Sequence, residues 1–432
     1  MLIPKINPKD LLRDIDKPFW ILFLALVVVA FIALFSAGST LAYEDGSVLG
    51  PFYKQFALLL LGTAVAFGVQ YIPSATIRFG GYFILAFAVL CLYLIVVPGS
   101  PFASTANEAG RWFDLFGLVT FQPSELAKLG LTIVVADLLS RIKSEEDYKK
   151  YFFWTLELTV FTCIPILIGN LSTVVLIAVI VLMLWILARI PGRYIWTTIG
   201  IVVAVAAIGF AIVEIGYVRP GKDIESGPFK RATVWVKRVN VAVQEIGTPF
   251  DKKEALDAQH YQRTIAKVAV ARGGKTPFGV LPGHSQERDF LPLAFMDYIF
   301  AIIVEETGLI GALFLIFIYL AILFRACWAS SRYADSSAML VVMGLALMLT
   351  CQALISMAVS VGLGPVTGQP LPLISKGGTS VLITSLYFGI MMAVAREQAL
   401  RSARQEKTKQ DSYNNVPDVQ IEASEIPSQD AE

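Results

Sequence analysis

Charge is scarce in this chain of 432 residues: Asp, Glu, Lys and Arg make up 16% of it, against roughly 25% in a soluble globular protein. So low a content excludes an ordinary water-solvated domain and points to the bilayer as the main solvent. No charge of one sign accumulates either; the formal net charge is +1, which argues against a nucleic-acid polyanion as the main partner. Cysteine is limited to Cys91, Cys163, Cys327 and Cys351, all in or at the edge of apolar runs and without CxxC spacing. A disulfide framework and thiolate-bound zinc are thereby disfavoured. The two histidines, His260 and His284, lack metal-ligand spacing. No phosphate-binding loop or dinucleotide fingerprint is present, which counts against an ATP-driven pump. A cleavable leader is not visible: the basic opening (Lys5, Lys9, Arg13, Lys17) runs into Phe19–Phe35 and then the polar SAGST, so the first span is expected to serve as targeting signal.

What is abundant is apolar sequence, 56% of the chain. Taking about 20 residues to cross a hydrocarbon core, spans are expected near 19–38, 53–71, 80–97, 124–140, 152–169, 172–189, 194–214, 296–324, 338–363 and 380–395. The expected fold is therefore an all-α integral membrane protein of about ten transmembrane helices with one large loop. It has an N-terminus of residues 1–18, a membrane domain 19–395 and a tail 396–432. Connections assigned to the cytoplasm carry 18 Lys and Arg, whereas the short loops opposite hold only Arg111 and Lys376. The positive-inside rule then puts both termini in the cytoplasm and the long loop, about 215–295, in the periplasm.

That loop holds 13 basic residues and both histidines. Its stretches TVWVKRVNVAVQEI and QHYQRTIAKVAVA space apolar residues every three or four positions, as helices lying on a membrane surface do. RGGKTPFGVLPGHS reads as turns. The segment 402–432, rich in Gln, Ser, Asp and Glu, reads as disordered.

Ionisable residues inside spans are costly and default to functional hypotheses. In RWFDLFGLVTFQPSELAKLGL, Arg111 and Trp112 precede the fourth span, and Gln122-Pro123-Ser124 looks like a helix start, with Ser124 and Glu125 able to serve orphan amides. Glu125 and Lys128 are three apart, share a helical face and can pair. Spacing alone leaves open a structural ion pair or a role with substrate.

In RDFLPLAFMDYIFAIIVEETGLIG, Asp297 falls where the eighth span enters the bilayer on its outer side; partial desolvation would raise its pKa toward that of a usable base. A dipole-stabilised acid at a helix start is the plainer alternative. Glu305 lies eight residues on, about 12 Å deeper at 1.5 Å per residue, farther than the ~5–9.5 Å between paired glycosidase carboxylates. A two-carboxylate hydrolase is disfavoured. GLGPVTGQPLPLISKGGTS holds three prolines and five glycines in 19 residues, so a rigid re-entrant or surface loop is expected there. Lys376 beside Gly377 and Gly378 could offer a cation and free amides to a phosphate, or simply reach for lipid headgroups. Asp137, Glu157 and Glu214 read as interhelical hydrogen-bond partners.

At these three clusters the sequence resembles the shape, elongation, division and sporulation (SEDS) family of membrane glycosyltransferases, which polymerise lipid II into peptidoglycan. The carrying strings are NEAGRWFDL with FQPSELAKL, DFLP with MDYIFAIIVEETGLIG, and GQPLPLISKGGTS, in family order over residues 19–395. STLAYE and MAVSVGLGPVTGQPLPLISKGGTS look most like the cell-division branch; the rod-elongation branch is the alternative. Met296-Asp297-Tyr298 replaces the commoner Thr-Asp-Phe, Ser375-Lys376-Gly377-Gly378 replaces Ser-Tyr-Gly-Gly, and Thr367 stands where some relatives have a lysine.

The resemblance implies inverting transfer of a glycan from an undecaprenyl-diphosphate donor to the sugar 4-hydroxyl of an incoming lipid II. It implies Asp297 as base and Arg111, Trp112, Gln122, Glu125, Lys128, Ser375, Lys376, Gly377 and Gly378 as substrate contacts. No cofactor is required, although a divalent cation (Mg or Mn) could assist the diphosphate; no metal ligand is assigned. Implied partners are lipid II, a class B penicillin-binding protein and other division proteins, at the septal inner membrane. A lipid II flippase and a non-catalytic division scaffold are the rival functions. A flippase is often signalled by repeated halves, and no internal repeat is visible.

Overall fold

The computed structural model describes residues 15–45, 50–97, 100–102, 112–115, 119–217, 258–281, 284–287, 298–333, 335–364, 367–375 and 378–414. Where water is absent, backbone amides must be satisfied within their own segment, and the long apolar runs accordingly form helices. These are α1 (Lys17–Asp45), α2 (Gly50–Val69), α3 (Ser74–Val96), α4 (Pro123–Ser140), α5 (Glu145–Gly169), α6 (Leu171–Leu187) and α7 (Gly192–Tyr217). After them come α8 (Ala258–Gly273), α9 (Ile299–Ser330), α10 (Ser336–Ser360) and α11 (Gly378–Asn414).

Among the described residues eight helices, α1, α2, α3, α5, α7, α9, α10 and α11, are long and apolar enough to cross a membrane. The two others expected as spans fall short for different reasons. α6 is apolar but only 17 residues long. α4 carries three ionisable residues, Glu125, Lys128 and Asp137, in 18.

α4 is nevertheless the centre of the bundle, buried from Pro123 to Leu139 except at Leu126 and packed against α3, α5, α6 and α10. Its neighbours supply what its charges need. Asp137 accepts hydrogen bonds from Tyr82 (2.9 Å) and Arg141 (2.6 Å) and lies 4.0 Å from Arg78, the interhelical role expected of it. Close approach is secured by Gly130, where a Cβ would stand 2.7 Å from the backbone nitrogen of Leu85 on α3. α5 contains Pro165, which cannot donate to the carbonyl of Phe161 one turn back; Tyr93 of α3 donates to that carbonyl instead, at 3.1 Å. α10 and residues 381–395 of α11 are mostly buried, while residues 200–212 of α7 are exposed all round, as an apolar helix facing lipid on every side would be.

Four features depart from the sequence reading. A short antiparallel hairpin, β1 (Phe113–Leu115) with β2 (Val119–Phe121), pairs Phe113 with Phe121 just ahead of α4. α11 runs to Asn414, so residues 402–414 are helical where disorder was expected. The residues there are mostly helix formers, and Glu397 and Arg401 pair at 2.5 Å one turn apart. α8 forms where QHYQRTIAKVAVA predicts a helix, but its face with Ala266 and Ala269 packs on Tyr298, Ala301 and Ile302 of the chain itself rather than on a membrane surface. α4 is not capped by Ser124 or Glu125; it starts with Pro123 in the first turn, after Gln122, and has no side-chain cap. The TVWVKRVNVAVQEI segment lies outside the described residues.

Candidate functional site

The polar heart of the bundle begins at the first turn of α4. Gln122 is extended (φ −97°, ψ 106°) and the fixed φ of Pro123 starts the helix. The preceding hairpin is pinned by aromatic packing: Phe113 stacks on Phe102 (5.2 Å between ring centres) and meets Phe121 at 5.4 Å. Half-buried Trp112 adjoins this packing in sequence. The hairpin thus sets where the first turn of α4 begins.

Three residues in, the expected ion pair is present: Lys128 Nζ lies 2.7 Å from Glu125 Oε1. Lys128 is completely buried and Glu125 is 6% exposed. The same ammonium donates to Gln352 Oε1 of α10 at 2.6 Å, and Gln352 Nε2 donates to the carbonyl of Pro370 at 3.0 Å. A relay Glu125, Lys128, Gln352, Pro370 therefore ties α4 to α10 and to the loop ahead of α11. Burying a charge is tolerable only when it is paired and hydrogen-bonded, and here both conditions are met.

The described part of that loop, 367–375, is non-helical and largely buried, as its Pro and Gly content predicts. Its backbone polar groups are met from three directions. Tyr319 of α9 donates to Pro372 O at 2.6 Å, Gln352 to Pro370 O, and the Leu371 amide donates to Ser375 Oγ at 2.8 Å. Gln369 Nε2 donates to Thr173 Oγ1 of α6 at 2.6 Å. Gly368 (φ 62°) and Leu373 (φ 68°) both sit in the left-handed region; for leucine this costs energy and persists only because the surroundings fix it.

Of the expected site residues, Gln122, Glu125 and Lys128 share the first turns of α4. Ser375 lies at the end of the loop that Lys128 reaches through Gln352. Trp112 and Gly378, the first residue of α11, frame the same segments. Asp297, Arg111, Lys376 and Gly377 lie outside the described residues. Gln352 was not among the expected residues; its signal is a lone amide inside the apolar run MLTCQALIS. Among the described residues no group of three His, Cys, Asp or Glu side chains gathers to hold a metal.

The arrangement is a buried charged core at the N-terminal ends of α4 and α6, beside a non-helical loop. Beside it, a cavity of about 170 Å³ is lined by Leu92, Ile95, Val96, Gln122, Pro165 and Asn170 with their neighbours.

The cell cycle protein family of FtsW, RodA and SpoVE matches residues 16–400. Peptidoglycan glycosyltransferase MrdB of Escherichia coli (strain K12) is 25% identical over 388 residues, covering 90% of this chain and 95% of that protein. A probable peptidoglycan glycosyltransferase FtsW of Nitrosomonas europaea is 29% identical, covering 88% and 92%. A second, of Mycobacterium tuberculosis, is 31% identical, covering 88% and 69%. Among solved structures, a chain of a peptidoglycan synthase complex that coordinates polymerization and crosslinking superposes with a TM-score of 0.67 at 23% identity, covering 89% of this chain and 98% of that one. The rod shape determining protein RodA of Thermus thermophilus gives 0.59 at 22%, covering 89% and 97%. At these identities the structures show a shared fold.

Proposed function

This chain belongs to the FtsW, RodA and SpoVE family of cell cycle proteins, and from that premise we propose that it is a peptidoglycan glycosyltransferase that polymerises lipid II. The observation that carries the reading is the similarity, across almost the whole chain, to relatives curated as peptidoglycan glycosyltransferases. In the reaction, the incoming sugar's 4-oxygen bonds to the donor's anomeric carbon, the bond from that carbon to the diphosphate oxygen breaks, and the hydroxyl proton passes to Asp297. Diphosphate leaves as an anion and needs charge neutralisation more than a proton. Arg111 and Lys376 are the cations for it. Lys128, fully buried and paired, acts by holding α4, α10 and the 367–375 loop in one arrangement.

The septal branch is favoured by STLAYE and by the run ending in LPLISKGGTS, and the FtsW relatives share 29% and 31% identity against 25% for MrdB. Rod elongation is the second reading, because MrdB aligns over 95% of its own length. The protein sits in the inner membrane with both termini in the cytoplasm and works with a class B penicillin-binding protein.

The test is Asp297→Asn, nearly isosteric but unable to accept the proton. With its transpeptidase and labelled lipid II in detergent, polymerisation should fall by roughly 10²–10⁴-fold while expression and partner binding stay normal. A well-folded Asn variant of near wild-type rate would remove Asp297 from the mechanism. Absence of glycan chains from the wild-type pair would favour a flippase or scaffold.

A further inference from the structure

Gly308 interrupts α9 with φ 68° and ψ −161°. In an unbroken helix the carbonyls of Glu305 and Glu306 would accept from residues 309 and 310. Here they accept from outside: Val280 N donates to Glu305 O and Leu281 N to Glu306 O, each at 2.9 Å, while Ile310 N donates to Pro277 O at 3.2 Å. The strap that follows α8, residues 274–281 and 284–287, thus replaces the helix's own hydrogen bonds at the break. Neither break nor strap is satisfied without the other. Glycine is required on both sides of this junction. A Cβ on Gly273 would run into the backbone of Val304, one on Gly279 into Glu305 and Glu306, and one on Gly308 into Gly279 and Pro277.

The side chain of Glu305 completes the junction. It is completely buried, accepts a short hydrogen bond from the Ser285 hydroxyl and another from the Gln286 amide at 3.2 Å, and stands 3.8 Å from Arg272 at the end of α8. These partners occupy both carboxylate oxygens and come from α8 and the strap. The stretch of α9 ahead of the break, 299–307, is buried at every residue from Ile299 to Glu306. It is a short rigid rod with Glu305 near its deep end and Tyr298, the residue after Asp297, at its outer end.

We propose that Glu305 is a positioning residue: it fastens the strap and α8 to the 299–307 rod and so fixes the direction in which the chain leaves that rod at Tyr298, toward Asp297. The inference rests on Asp297 acting as the base. A base misplaced by about 1 Å can cost on the order of 10²-fold in rate, so the seating of this rod has kinetic weight although Glu305 does not touch substrate.

The experiment measures lipid II polymerisation by the full chain with its transpeptidase, together with amide exchange at Val280 and Leu281. Glu305→Leu, which fills the space but accepts no hydrogen bond, should lower kcat by about 10²-fold with KM near wild type and faster exchange at both amides. Glu305→Gln keeps an acceptor oxygen and should restore most of kcat. Ser285→Ala removes one donor from the strap without touching the bundle, and should give a smaller fall in kcat with the same unchanged KM. Wild-type kcat in Glu305→Leu, a raised KM with unchanged kcat, or unchanged exchange at Val280 and Leu281 would each overturn the inference. Asp297→Asn tests the base by itself: an active Asn variant defeats that assignment whatever Glu305 does. An inactive Asn variant beside a fully active Glu305→Leu defeats only the positioning role.

Discussion

Removing the Lys128 ammonium while leaving Glu125 in place should do more damage than removing both charges. At 2.7 Å the pair attracts by about 6 kcal/mol at an effective dielectric of ~20, and the desolvation of two ions, several kcal/mol each, offsets most or all of it. The intact pair is therefore worth little net, but a stranded partner is not. Lys128→Met leaves Glu125, 6% exposed, without its cation and Gln352 Oε1 without its donor. The expected loss is about 3–5 kcal/mol, or two to three and a half decades in the folding constant at ~1.4 kcal/mol per decade. Glu125→Gln combined with Lys128→Met carries no buried charge and should fall within about 1–2 kcal/mol of the parent. Tryptophan fluorescence during denaturant unfolding in detergent, read for the parent, both single variants and the double variant, supplies the cycle. Equal instability of Lys128→Met and the double variant would refute the pairing argument. A double variant that is stable yet polymerises nothing would instead give Glu125 or Lys128 a direct part in the chemistry.

Three further outcomes are expected. In a cysteine-free background, a membrane-impermeant thiol reagent applied from outside should label a cysteine placed near Asp257 and spare one near Glu146; the reverse pattern would invert the orientation. Gly130→Ala, forced against the Leu85 backbone, should lose about 1–3 kcal/mol, whereas Gly80→Ala, with nothing within 4 Å of its Cβ, should be neutral or gain up to ~1 kcal/mol; equal effects would mean that α3 and α4 do not cross as described. Burial, and then the nearby Glu305 carboxylate, hold Glu287 above the usual carboxylate range, with Arg272 pulling the other way. A raised acid favours the folded state while protonated, below its unfolded value of ~4.3, and loses that contribution as pH rises through the folded value. Glu287→Gln should accordingly melt higher than the parent at neutral pH and converge with it near pH ~4; a variant that melts lower throughout would show that the Arg272 contact outweighs burial.

Much of this molecule is set by composition and periodicity. A chain with 56% apolar residues and 16% charged ones has to satisfy its backbone internally, so the positions of the helices follow from where the apolar runs lie. Local spacing likewise placed Glu125 and Lys128 on one face of α4, because residues three apart on a helix are neighbours whatever else surrounds them. The Pro and Gly content of 362–380 excluded a regular span there for an equally local reason.

Tertiary structure alone decided which of those helices sits in the middle. α4 looks like the least suitable span in the sequence, with three ionisable residues, and it can be enclosed because Tyr82 and Gln352 reach it from other helices while Arg141, at its own C-terminal end, pairs with Asp137. The same holds for the break in α9. Nothing in EETGLIG shows that the carbonyls of Glu305 and Glu306 are answered by Val280 and Leu281, since those partners lie some 25 residues back. A hydrogen bond across that separation is fixed by how α8 packs on α9, a property of the folded chain that no local pattern encodes.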